Sequence, residues 1–110
     1  MQGNIVSVYV DATQAALDRD LFLDPSFEVL TSRGNRYRVD REDDGSFTTV
    51  WTVTRTEANG ILVSEPIGRV TGVRTLFTHR PASFRYRKDG SPLDSGNQGD
   101  LLNAVQSLTD

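Results

Sequence analysis

The side chains with the most chemical potential in this chain are its arginines. Arg36 and Arg38, and again Arg85 and Arg87, stand two residues apart, the spacing that places both members of a pair on one face of a β-strand. Four guanidinium groups on one sheet face are suited to bridging phosphates or carboxylates, because each presents a planar fork of donors. The plainer account is a solvated face on which these cations pair with Glu28, Asp40 and Glu65, contacts that usually contribute little energy. Eleven of the twelve cations are arginine, a bias that a GC-rich genome produces equally well.

Nothing else in the chain assembles an active site. His79 is the only histidine, and a lone histidine before Arg80-Pro81 lacks the partners that catalysis or metal ligation needs. No serine lies in a nucleophile elbow, and neither a P-loop nor a dinucleotide fingerprint is present. Asp40, Glu42, Asp43 and Asp44 could gather hard oxygen ligands, but Arg41 interrupts them and the spacing is not that of an EF-hand; a solvated hairpin tip explains them better. The same holds for Asp89, Asp94, Asn97 and Asp100. Thr52, Thr54 and Thr56 form a row that a flat sheet can use to order water, although β-propensity accounts for threonine in strands. No cofactor and no metal is expected.

These groups are positioned by strands. Phe47 to Arg55 alternates with period two: Phe47, Thr49, Trp51 and Val53 make a heavy face, and Thr48, Val50, Thr52 and Thr54 a light one. The tryptophan face is taken as core. Ile5 to Val10 reads as a strand, and Asp11-Ala12-Thr13-Gln14 has capping-box spacing, predicting a helix from there to about Asp20. Strands are expected at Phe27 to Thr31, Arg36 to Arg41, Ile61 to Glu65, Val70 to His79 and Phe84 to Lys88. Gly34 or Asn35, Asp44-Gly45 and Asn59-Gly60 supply the turns. Pro66 is read as the end of a strand and Gly72 as a bulge. Residues 89 to 100 have loop composition, and Asp100 is placed to cap a final helix whose Leu101, Ala104, Val105 and Leu108 share a face.

Composition sets the outer limits. At 110 residues the chain is expected to be a single domain spanning 1 to 110, burying roughly two thirds of its unfolded surface. With no cysteine it has no disulfides, no thiolate nucleophile and no Cys-ligated metal. The start has neither the basic residues nor the apolar run of a signal peptide, so a soluble product, cytoplasmic or incorporated in a particle, is expected. The net charge of −3 conceals a division: residues 33 to 88 carry eleven cations and six anions, or +5, whereas residues 1 to 32 and 89 to 110 each carry −4.

The expected fold is α+β and β-rich: an antiparallel meander of six or seven strands, curled toward a half barrel, with N- and C-terminal helices on the Trp51 face. Its outer face would show Arg36, Arg38, Val50, Arg74, Leu76, Arg85 and Arg87, arginines around a few aliphatic side chains. From this follows an expected role as a non-catalytic structural or assembly subunit, docking to protein partners by that face, a sheet edge and the 89 to 100 loop, as a homo-oligomer or within a ring, tube or virion-like particle. The alternative is a nucleic-acid-binding sheet with the arginines on phosphates and Tyr37 or Tyr86 stacking on bases. Against it, the alternation turns both tyrosines inward and the sequence pI is near 5.0.

Overall fold

The computed structural model describes residues 4–43, 47–74 and 81–109. Its strands are β1 (Ile5–Val10), β2 (Thr13–Ala15), β3 (Ser26–Thr31), β4 (Arg36–Asp43), β5 (Thr48–Ala58), β6 (Ile61–Val73), β7 (Phe84–Lys88) and β8 (Gly96–Gln98), followed by helix α1 (Leu101–Leu108). They form one antiparallel sheet in the order β2-β1-β3-β4-β5-β6-β7-β8. The sheet does not close into a barrel, since its outermost strands β2 and β8 are not hydrogen-bonded to each other.

The heavy face of β5 is the dry one. Thr49, Trp51 and Val53 are fully buried, whereas Thr48, Val50, Thr52 and Thr54 are half-buried. Trp51 lies between Phe22 and Phe84, each ring centroid 5.6 Å away and tilted by about 60°, a favoured aromatic arrangement. Val29, Tyr37, Val39 and Val70 extend the core along neighbouring strands. Phe47, expected on this face, stands just before β5 and is 51% exposed.

Two helices were expected and one is present among the described residues. Asp100 caps α1, accepting a hydrogen bond from the Asn103 backbone at 3.3 Å, and Leu101, Ala104, Val105 and Leu108 are buried against the sheet. The first helix is replaced by a hairpin. Asp11 and Ala12 both take positive φ, 51° and 64°, as a two-residue type I′ turn requires, and Val10 pairs with Thr13. A ten-residue helix with a narrow apolar stripe is marginal by itself, while β1 offers Val8, Tyr9 and Val10 as ladder partners to Ala15, Gln14 and Thr13. The chain then crosses from edge strand β2 to β3, on the far side of β1, and this crossing brings Leu21 and Phe22 into the core that a helix was expected to fill.

The strand count rises to eight for related reasons. β2 takes the place of the helix, and β8 forms within the presumed loop, where Asn97 pairs with Arg85. The segments flanking Pro66 are one continuous strand, β6, because Pro66 lies where β6 has β5 on one side and, among the described residues, no strand on the other, so its missing N–H breaks no ladder there. Gly72 makes no bulge. It pairs in register with Thr49 and Phe84, and a Cβ would approach Pro81 Cγ to 2.6 Å. β6 ends at Val73, and the remainder of the expected strand, 75 to 79, lies outside the described residues, as does the Asp44-Gly45 turn. The Asn59-Gly60 turn forms as expected, with φ of 53° and 80°.

Helix α1 spans the gap left by the open sheet. It packs on β6, β7 and β8, while the Gln106 carboxamide oxygen accepts the Ile5 backbone N–H at 2.9 Å. That N–H belongs to the part of β1 that β2 does not reach. The helix thus ties β1, near one margin of the sheet, to β6, β7 and β8 toward the other. Gly68 permits its close approach, since a Cβ there would press on the Arg87 carbonyl and reach Leu108 Cδ2 at 2.9 Å.

Candidate functional site

The outward face of β4 to β7 is assembled by strand register. Arg85 is the partner of Thr71, which is the partner of Val50, which is the partner of Glu42; one step along, Arg87 faces Arg69, Arg69 faces Thr52, and Thr52 faces Asp40. Partners in register share a face. The outward positions expected for Val50, Arg85 and Arg87 are therefore the positions found.

The four expected arginines are not one cluster. β5 and β6 separate β4 from β7, a distance of about 14 Å at ordinary strand spacing. Arg36 lies 3.1 Å from Glu28 and over the Tyr9 ring, with its Cζ 5.1 Å from the centroid. Arg38 lies 3.0 Å from Asp40. Both carboxylates are those the plainer account named. Glu65 instead pairs with Arg55 at 2.9 Å.

Arg85 and Arg87 share Asp94, at 3.9 and 3.5 Å, and are joined by Arg69, which sequence reasoning did not single out. With Val50 and Thr71 these residues line a depression of about 160 Å³. Arg74 departs from the expected arrangement. Without a bulge at Gly72 it has the parity of buried Val70, and its Nε is shut off from solvent. Leu76 and His79 lie outside the described residues. The threonine row is bent by register shifts between Val53 and Thr54 and between Arg55 and Glu57, and the Thr56 hydroxyl donates to the Arg36 carbonyl at 3.3 Å. A flat hydroxyl array is therefore not formed. Tyr37 is fully buried, with Arg55 5.6 Å from its ring, and Tyr86 packs half-buried against the core.

Two other features come from the fold rather than from motifs. A groove of about 400 Å³ runs between the β2–β3 crossing and the start of α1, with Phe22, Phe84 and Leu101 among its lining and Asp18, Asp20 and Asp100 the acids around it. It lies at the covered side of the sheet, apart from the outward arginines. The second is the β5–β6 hairpin. β7 accompanies β6 only from Gly68 to Gly72, and the Asp89 N–H donates to the Ile67 carbonyl at 2.8 Å. Among the described residues, no strand pairs with the outer edge of Ile61 to Pro66. At its tip Ile61 is 67% and Leu62 82% exposed.

Among the described residues no group of three or more His, Cys, Asp or Glu side chains is arranged to hold a metal ion, and no helix is long and apolar enough to cross a membrane. Comparison with protein-family models, with curated proteins and with solved structures gives no match.

Proposed function

We propose that this chain is a non-catalytic structural subunit that assembles with copies of itself through the free edge of β6 and the adjoining outward face of the sheet. The observation that carries the reading is the exposure of Ile61 and Leu62, 67% and 82%, on a stretch of strand whose outer edge has no strand partner among the described residues. Such an edge offers backbone donors and acceptors that another strand satisfies, and natural sheets normally blunt it. The two outermost strands of this sheet are short, at three residues each; the β6 edge carries Ile61, Leu62 and Val63 ahead of Glu65 and Pro66, and the strand itself continues to Val73. A second copy is the occupant that matches, because antiparallel pairing about a two-fold axis satisfies both edges in one contact. Farther along β6 the same sheet carries Arg69 and, through strand register, Val50, Arg85 and Arg87 on its outward face.

The test is the solution mass across protein concentration, for the native chain and for Leu62→Asp. The native chain should form oligomers, whereas Leu62→Asp should remain monomeric and melt within a few degrees of the native chain, because Leu62 contributes almost nothing to the core. A native chain that stays monomeric throughout, or a variant that associates as readily, removes the proposal. Val50→Asp separates the face from the edge: if association also uses the sheet face, this substitution weakens it while the monomer stays folded.

A further inference from the structure

Arg69 of β6 and Arg87 of β7 are direct register partners, an arrangement in which like charges confront each other and weaken the strand pair. Arg85 stands on the same face one step along, beside half-buried Thr71 and Val50. Among the described residues, the sole carboxylate lining the depression is that of Asp94. It reaches Arg87 at 3.5 Å and Arg85 at 3.9 Å, longer than the about 2.7 to 2.9 Å of a charge-assisted hydrogen bond. Arg69 makes no ion pair among the described residues. Three guanidinium charges against one carboxylate leave +2 in a depression of about 160 Å³, within a chain whose net charge is −3.

We propose that this depression binds a phosphate dianion, inorganic phosphate or the terminal phosphate of a small phosphomonoester. Arg69 and Arg87 approach it from adjacent strands, Arg85 supplies the third fork, and Asp94 competes for Arg85 and Arg87. The charge selects the class: a dianion balances the +2, whereas a single carboxylate leaves one cation uncompensated. An extended phosphodiester backbone is a poorer match, because Arg36 and Arg38 lie on β4, two strands from β6 and three from β7, and are engaged by Glu28 and Asp40. Half-exposed side chains around the site make the binding sensitive to salt. The site does not depend on self-assembly, and the monomeric Leu62→Asp chain retains it.

The experiment is an NMR titration of the 110-residue chain, following the arginine Nε–H signals with inorganic phosphate at a pH where it is dianionic, beside sodium chloride and sodium acetate at equal ionic strength. Phosphate should give saturable shifts at Arg69, Arg85 and Arg87 that neither control reproduces. Arg69→Gln should abolish saturation, and Asp94→Asn should tighten binding on the order of tenfold, the value of one charge-assisted contact. Should Arg69→Gln fail to fold, Arg87→Lys serves in its place, since it keeps the charge and loses the fork. Equal responses to phosphate and acetate, an unchanged titration in the arginine variant, or no tightening in Asp94→Asn would each overturn the site. Repeating the titration on Leu62→Asp separates its failure from failure of the assembly reading.

Discussion

Trp51 fixes which side of the sheet is dry. It is fully buried between Phe22 and Phe84, and its alternation with Thr49 and Val53 is visible in the sequence because a pleated strand repeats every two residues. Trp51→Ala should cost roughly 3 to 5 kcal/mol, a large share of the stability of a domain this size. Chemical denaturation would measure it, and a near-native midpoint would mean that the indole carries no such load. Other residues were legible for equally local reasons: Asn59-Gly60 by its turn chemistry and Asp100 by its distance from the first helical turn. Arg69 was not, because reading Pro66 to Gly68 as a break left it without a strand and hence without a face. Asp94 was missed as a partner for Arg85 and Arg87 because the turn that brings it back over β7 has no periodic signal. The outward position of Arg74 rested on a bulge at Gly72; without the bulge Arg74 follows the parity of buried Val70 and is half-buried.

At the scale of elements, the central strands followed their alternation and the margins did not. The segment after β1 carries a helix-start signal, yet local propensity yields to the ladder bonds that β1 offers. The result is a turn in which Ala12 has a φ of 64°, a conformation strained for any residue with a Cβ. Ala12→Gly should therefore stabilise the protein by roughly 0.5 to 1 kcal/mol after allowing for the greater freedom of glycine in the unfolded chain. If this segment were the helix its spacing suggests, the same change would destabilise it by a comparable amount, so the sign of the shift in melting midpoint decides between them. β8 was likewise illegible: three residues within a Gly- and Ser-rich stretch become a strand only because β7 presents an edge. The helix that follows was predictable as a helix. Its role as the tie between β1 and β7, through Gln106 and Ile5, depends on how far the sheet curls, which no local pattern specifies.

The molecule as a whole is uneven, with principal extents of 43, 33 and 23 Å. One side of the sheet is sealed by the crossing segment and α1, and the other presents ion pairs, a cationic depression and, beyond Gly68, an edge with two exposed aliphatic side chains. The charge division along the sequence has a counterpart here, since the cation-rich middle of the chain forms β4 to β7 while Asp94 from its acidic end folds back onto two of those cations. A sheet exposing apolar side chains on an unpaired edge is prone to pair with another. The most direct measurement is amide hydrogen exchange at low and high protein concentration. On the assembly account, amides between Ile61 and Glu65 that face away from β5 exchange quickly when the protein is dilute and become protected as it is concentrated, while those of β2 and β8 do not change. Exchange along that stretch that is independent of concentration would contradict the account.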